Sequence, residues 1–197
     1  MPRVVDHRAR RAEIVSAVLD LIAREGAEAV TVRKAAAAAG VSVGALAHYF
    51  ADKDELLTAA FTEVVARSAF RLRELPPYPD TAELLFQALL ASLPLNDARH
   101  TEARVWLAFL DRALAREDST ALLRAVYDEW RKAIAEIITK GQKEGRFRAD
   151  LDPLATAGSL IAHVDGLTLQ AVFDPAAFDH DTLRRLVHAQ VRSLLAD

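Results

Sequence analysis

Polar side chains that could contact another molecule are concentrated around a tight turn in residues 31–53, TVRKAAAAAGVSVGALAHYFADK. Thr31 and Ser42 stand where each could cap a short helix, and the alanines before Gly40 would let the two helices approach closely. A helix-turn-helix needs a small residue or glycine in its connecting turn. This spacing is typical of a helix-turn-helix, a motif that binds DNA, and also of any two short helices that a glycine joins.

Motifs for catalysis are missing from the sequence. It contains no HExxH, no GxSxG and no GxxxxGK[ST], and His48 and His163 lack metal-ligand spacing to partners. The absence of cysteine excludes disulfides, thiolate metal sites and cysteine nucleophiles. We expect no enzymatic activity, no catalytic residues, no metal site and no cofactor.

The elements that must position these residues are predicted to be helices throughout. Alanine (39 residues) and leucine (27) make up a third of the 197 residues, and both are strong helix formers. Glycine and proline, seven of each, mark the boundaries, and no stretch alternates with the period of a strand. We predict an all-α protein of about nine helices, over residues 8–25, 31–40, 42–49, 53–74, 80–93, 98–116, 119–144, 153–172 and 180–196.

Local signals indicate how the fourth helix begins and what it buries. Asp52, followed three residues on by Glu55, reads as a variant of the capping box. Gly26 stands where a glycine would end the first helix. The fourth helix is predicted to bury Leu57, Phe61, Val64 and Val65.

The net charge of −3 would, taken as a sum, discourage a nucleic-acid partner. The charge divides unevenly, because residues 1–55 hold eight basic and eight acidic side chains, so the later residues carry the whole excess. The start of the chain lacks the apolar segment of a signal peptide, and no stretch is apolar enough to span a bilayer. We expect a cytoplasmic protein with no membrane partner and a basic arm formed by Arg3, Arg8, Arg10 and Arg11.

From Arg10 to Phe61 the chain resembles the DNA-binding domain of the TetR family of transcriptional repressors. The motif GALAHYF is similar to the BetI-like branch, typified by the regulator of choline-to-glycine-betaine synthesis. Many family members carry Thr and Tyr where this chain has Ala45 and Ala47, so two common DNA contacts are missing. The shared features are Glu25-Gly26, Thr31-Val32, Ala39-Gly40-Val41-Ser42, Gly44, Leu46, Tyr49-Phe50 and Lys53-x-x-Leu56-Leu57.

The resemblance implies a recognition helix whose residues meet the DNA major groove. Small side chains there could touch thymine methyl groups, whereas His48 could read a base or remain a solvated surface histidine. Tyr49 and Lys53 are expected at phosphates, and Leu46 and Phe50 in the core. The predicted DNA-binding residues are Thr31, Arg33, Ser42, Val43, Gly44, Ala45, Ala47, His48, Tyr49 and Lys53.

The resemblance also implies two domains, a helix-turn-helix domain over 1–55 and a ligand-binding and dimerisation domain over 56–197. In this branch the last two helices pair across a two-fold axis as a four-helix bundle, so a homodimer is expected. The 153–172 helix, apolar on most of its circumference, suits such an interface.

Aromatic and acidic residues of the later domain suit a quaternary ammonium ligand such as choline, through cation–π attraction and charge. Two alternatives stay open: the aromatic residues could simply be core, and His163 and Asp165 could satisfy each other. The predicted ligand-binding residues are Trp106, Phe109, Trp130, His163 and Asp165.

We therefore expect a ligand-responsive dimeric repressor that binds a near-palindromic double-stranded operator and is released by a small-molecule effector. One alternative is a regulator of an efflux or catabolic operon with an unrelated apolar ligand. Another is a ligand-binding protein that has lost DNA binding.

Overall fold

The computed structural model describes residues 7–196, so Arg3 of the predicted basic arm lies outside the described residues. Within that range the chain forms nine α-helices, one 3₁₀ turn (Ala27–Ala29) and no β-strand, which confirms the all-α prediction. The helices are α1 (His7–Glu25), α2 (Val32–Ala38), α3 (Val43–Leu46), α4 (Lys53–Arg73), α5 (Thr81–Leu90), α6 (Asp97–Ala115), α7 (Glu117–Lys143), α8 (Pro153–Phe173) and α9 (His180–Arg192).

Side-chain caps fix the starts of the helices around the turn. The Thr31 hydroxyl accepts a hydrogen bond from the Lys34 amide at 3.2 Å, and the Ser42 hydroxyl accepts one from the Ala45 amide at 3.0 Å. The Asp52 carboxylate accepts from the amide of Glu55 at 2.8 Å, and the Glu55 side chain reaches back to the preceding loop. All three predicted caps are confirmed, and each satisfies a backbone donor that the helix start leaves free.

The third helix is shorter than predicted. It ends at Leu46 rather than near Tyr49, and the chain continues through tighter turns in which the His48 amide bonds Ala45 and the Tyr49 amide bonds Leu46. Leu46 and Phe50 are both buried in the core beneath this turn. The prediction that the helix runs to 49 was therefore wrong by about one turn.

The first four helices enclose a hydrophobic core that α6 completes. Ile14, Ile22, Leu46 and Phe61 are among its fully buried members. Phe109 of α6 belongs to the same core, so the first four helices are sealed by a helix from the second half of the chain.

Two residues predicted as core in α4 are only partly covered. Leu57 and Val65 are half-buried, whereas Leu56 and Ala60 are buried instead. The inward face of α4 is therefore centred about one residue earlier than the sequence pattern indicated. The predicted domain boundary after residue 55 falls inside this continuous helix.

A second core unites α5, α7, α8 and α9. Helix α8 buries one face, including Leu160, Val164 and Ala171, against these neighbours. Its opposite face stays open, with Leu169 41% exposed and Phe173 77% exposed. As predicted, α8 is apolar on faces that a single chain does not cover.

Candidate DNA-binding surface and effector cavity

The predicted DNA-reading residues gather on one surface around the turn between α2 and α3. Ala45 and Tyr49 are half-buried there, as is Lys53 at the start of α4. Leu46 and Phe50 are buried beneath them, as expected for core residues. The exposed members of the set are Thr31, Arg33, Ser42, Val43, Gly44, Ala47 and His48.

Several basic side chains near this surface are already paired with acids. Arg10 contacts Glu13 at 2.5 Å, and Lys34 contacts Glu25 at 2.6 Å. Arg11 lies 3.4 Å from a Glu55 carboxylate oxygen and also covers the Phe50 ring. These pairs reduce the positive field that the sequence suggested for this side of the molecule.

Two cations of the predicted set remain available. Arg33 is exposed and has no ion pair with any of residues 7–196. The Lys53 ammonium donates to the Glu28 carbonyl oxygen at 3.4 Å, and so has no carboxylate partner within that range. The Tyr49 ring packs against His7, with their centroids 4.5 Å apart, and its position is thus fixed by α1.

A cavity of about 300 Å³ lies between α4, α6, α7 and α8. Three of the five predicted ligand-binding residues, Trp106, Trp130 and Asp165, line it. The other two do not: Phe109 is buried in the first core, stacked on Phe61, and His163 does not reach the cavity wall.

Asp165 is an acidic group on the cavity wall that has no ion pair with any of residues 7–196. The Tyr127 hydroxyl donates a hydrogen bond to its carboxylate at 2.5 Å. Burial raises the pKa of Asp165, opposed by hydrogen bonds from Tyr127 and Trp106. Burial together with the Asp165 carboxylate raises the pKa of the Tyr127 hydroxyl. The anion is therefore oriented by donors but poorly solvated, which prepares it to attract a cation.

His163 and Asp165 do not satisfy each other. The carboxylate of Asp165 is bonded to Tyr127, and the buried Nε2 of His163 has no hydrogen-bond partner among the described residues. The interpretation that the two groups neutralise one another is therefore wrong. They point to different sides of α8.

A series of aromatic rings connects the cavity to the core of the first four helices. Tyr127 lies between the two tryptophans, 6.5 Å from Trp130 and 5.6 Å from Trp106 by ring centroids. Trp106 stacks on Phe61 at 5.5 Å, and Phe61 stacks on Phe109 at 3.7 Å. A displacement of Trp106 by a ligand would therefore reach a buried residue of α4 directly.

Sequence reasoning missed a buried ion pair at the cavity wall. Arg71 of α4 and Glu102 of α6 are joined by two hydrogen bonds, of 2.7 and 3.3 Å, and Arg71 also donates to the Ala91 carbonyl at 3.0 Å. The Glu102 side chain is 8% exposed. Its only signal in the sequence is a carboxylate on a helix face shared with Val105 and Phe109.

Cavity charge favours a cation. Glu102 and Arg71 neutralise each other, while Asp165 and Glu129 outweigh Arg73 among the remaining lining groups.

No helix within residues 7–196 is both long and apolar enough to cross a membrane.

Comparisons with known proteins agree with this geometry. The family model for bacterial regulatory proteins of the tetR family matches residues 14–60, and the model for the C-terminal part of BetI-type transcriptional repressors matches residues 79–196. The chain is 32% identical, over all of its length and 95% of the relative's, to the HTH-type transcriptional regulator PksA of Bacillus subtilis. It is 28% identical to the HTH-type transcriptional regulator BetI 1 of Chromohalobacter salexigens, over 100% of this chain and 95% of that protein.

A solved structure with the same architecture contains a bound ligand. It is a putative transcriptional regulator from Saccharomonospora viridis in complex with choline, 28% identical, with a TM-score of 0.87 over 95% of this chain and 98% of that one.

These matches agree with the prediction that the chain is not an enzyme, because the family and the relatives are transcriptional regulators. Regulators of this kind bind DNA and small-molecule effectors and typically dimerise. The chain belongs to the TetR family of transcriptional regulators, with a C-terminal domain of the BetI type.

Proposed function

We propose that this chain is a dimeric repressor that leaves a near-palindromic operator when an organic cation enters the cavity beside Asp165. The observation that carries the proposal is the half-buried, hydrogen-bonded carboxylate of Asp165, which lines the same cavity as Trp106 and Trp130. Such a carboxylate with aromatic neighbours recognises a quaternary ammonium by charge and by cation–π attraction.

DNA reading is assigned to the exposed surface that begins at Ser42. His48 is the exposed polar side chain best placed to bond a base edge, and Val43 and Ala47 are small enough to meet thymine methyl groups. Arg33, Lys53 and the Tyr49 hydroxyl are assigned to phosphates. So few base contacts per copy favour a dimer that reads two half-sites.

The DNA assignment is tested by His48→Ala and Tyr49→Ala, with His180→Ala at the exposed start of α9 as the matched histidine control. After binding-site selection on the purified protein, operator affinity should fall about tenfold in His48→Ala, since a good base contact is worth about 1–3 kcal/mol, and should also fall in Tyr49→Ala, which loses a phosphate contact. Circular dichroism should show unchanged folding. Unaltered operator affinity in both variants would mean that this surface does not bind the operator.

The salt dependence should be modest. Arg10, Arg11 and Lys34 are held by carboxylates, which leaves Arg33 and Lys53 as the charged phosphate contacts of each described subunit. For a dimer this predicts a slope of log affinity against log salt of about −4. A slope near −8 would mean that the paired arginines also release counterions.

The dimer is assigned to the open faces of α8 and α9. Exposed residues of α8 recur at alternating spacings of four and three, as at the interface of paired helices. Small members of the stripe would let a partner helix approach closely, and Leu169 and Phe173 supply apolar area. Leu186 and Ala189 extend the surface on α9. The stripe on α8 consists of Ala155, Ser159, Ala162, Gly166, Leu169 and Phe173.

The effector class is supported by the cavity and by a relative's ligand. The S. viridis regulator, whose fold matches this chain, was solved with choline. Isothermal titration with choline, betaine aldehyde and larger quaternary amines tests the assignment, with 3,3-dimethylbutan-1-ol as the uncharged isostere of choline. We expect a quaternary amine to bind and the isostere not to. No heat from any quaternary amine would remove the cation assignment.

Release would occur by a shift in population. The effector must bind more tightly to a conformer whose two recognition surfaces no longer match successive major grooves. Helix α4 suits this role because Phe61 touches Trp106 and Arg71 is clamped by Glu102, while its first residue, Lys53, borders the DNA surface. We accordingly assign DNA binding to residues 1–55, and effector binding and dimerisation to residues 56–197.

An apolar effector is the second candidate, because the cavity walls include Val64, Val126 and Val164. It would fit a regulator of an efflux or catabolic operon. If the uncharged isostere binds as tightly as the amine, this candidate replaces the cation.

A further inference from the structure

A second cavity, of about 280 Å³, lies on the other side of Arg71 from the effector cavity. Its walls come from the end of α4, from α5 and the loop after it, from the start of α6 and from α9. The two cavities therefore share one arginine.

Three arginines meet at the second cavity. Arg71 is engaged by Glu102, but Arg99 and Arg184 have no ion pair with any of residues 7–196. Among the described residues, the Arg99 guanidinium has one hydrogen-bond acceptor, the Leu90 carbonyl oxygen at 3.3 Å. Burial lowers the pKa of Arg99, and the nearby charges of Arg71 and Arg184 lower it further, with Glu102 opposing them.

The carboxylates near the three arginines do not balance their positive charge. Glu74 is the carboxylate on the wall, and it lies at the exposed end of α4. A partly buried guanidinium with unused donors and repulsive neighbours is stabilised when an anion binds to it.

The rest of the wall is apolar. Leu75, Leu90 and Leu95 line it, and the Phe70 ring, 57% exposed, stands at its edge. A ligand that satisfies both parts needs an anionic head for the arginines and a short apolar body for this wall.

We propose that the second cavity is a binding site for a small organic anion, a carboxylate with an apolar tail. Arg99 and Arg184 hold the carboxylate, and the leucines and Phe70 cover the tail. Because Arg71 belongs to α4, an anion here contacts the same helix that connects the effector cavity to the DNA surface.

The site lies apart from the surface assigned to dimerisation. Arg184 is on the flank of α9 that packs against α5, where Phe86 meets His188 with ring centroids 5.7 Å apart. The apolar residue Leu186 lies on another flank of the same helix. The anion site is therefore expected to remain open in a dimer formed through α8 and α9.

The test is isothermal titration of sodium hexanoate into the full chain at low salt, with hexan-1-ol as the uncharged probe. The variants are Arg184→Gln, the double change Arg99→Gln with Arg184→Gln, and Arg185→Gln as the control, an exposed α9 arginine off the cavity. We expect hexanoate to bind at least tenfold more tightly than hexanol. Its affinity should fall at least threefold in the single variant, at least tenfold in the double variant, and stay unchanged in the control.

Equal affinities for hexanoate and hexanol, or no change in Arg184→Gln, would overturn the proposal. Arg184 is exposed, so Arg184→Gln should fold normally. Its hexanoate affinity therefore decides the proposal even if the double variant does not fold. No DNA and no quaternary amine is used, so failure here leaves the cation-controlled repressor standing, and failure of that function leaves the anion site standing.

Discussion

Replacing Asp165 by asparagine removes the charge at the effector cavity while nearly preserving the side chain's shape. The amide oxygen still accepts the Tyr127 hydrogen bond, so the aromatic neighbours should keep their positions. If the carboxylate attracts a cationic effector, the variant should bind that effector far more weakly. Binding of an uncharged ligand of the same shape should hardly change.

The size of the loss follows from the geometry. A quaternary nitrogen seated among the aromatic rings would lie about 5 Å from the carboxylate, and at an effective dielectric constant of about 20 the attraction is about 3 kcal/mol. That corresponds to roughly a hundredfold loss of affinity. The cation–π contribution of the tryptophans should remain, at about 0.5–2 kcal/mol.

The pH dependence supplies an independent check. Because burial raises the pKa of Asp165 above its usual 3.8, the native state holds this proton in a pH window where the unfolded state has lost it. The free energy of unfolding of the wild type, relative to Asp165→Asn, should therefore fall as pH rises from about 3.8 through the raised pKa. Affinity for a permanently charged amine should rise over the same window, as the carboxylate ionises.

Trp106 and Trp130 both line the cavity, so intrinsic fluorescence can follow effector binding in addition to calorimetry. The control is Asp128→Asn, an exposed carboxylate on α7 outside the cavity lining. Equal amine affinity for the wild type and Asp165→Asn, with Asp128→Asn also unchanged, would refute the electrostatic reasoning.

Two further predictions concern stability and assembly. Glu102→Gln should lower the free energy of unfolding by about 3 kcal/mol, because it leaves a partly buried arginine without its counter-charge. Glu117→Gln, whose ion-pair carboxylate is 87% exposed, should cost almost nothing by chemical denaturation, and equal effects would contradict the role of burial. Phe173→Arg should convert the dimer to monomers in analytical ultracentrifugation and weaken operator binding. Leu114→Arg, at a residue 90% exposed on α6, should do neither; a dimeric Phe173→Arg would move the interface elsewhere.

Local signals in the sequence predicted the helices well. Caps such as Thr31 and Asp52 act within a few residues, and the prolines and glycines that end helices act in the same way. The third helix was overextended because Leu46 and Phe50 are both buried, as a continued helix would also bury them, so the spacing of apolar residues does not indicate the change to tighter turns after Leu46.

The effector cavity was only partly predictable. Sequence pattern shows that Trp106 and Phe109 lie on the same helix, but neighbouring helices decide that one lines a cavity and the other stacks on Phe61. Arg71 and Glu102 are 31 residues apart, and their pairing depends on how α4 and α6 cross. Contacts of that kind are set by packing between helices rather than by the pattern of either one.

The central claim is that a cation held at Asp165 controls DNA binding. Its most direct test is fluorescence anisotropy of a labelled operator, obtained by site selection, with the best-binding quaternary amine titrated into wild type and Asp165→Asn in parallel. The account predicts release of the wild type and about a hundredfold more amine for release of the variant. An operator complex of the wild type that persists at saturating amine, or equal release of both proteins, would contradict it.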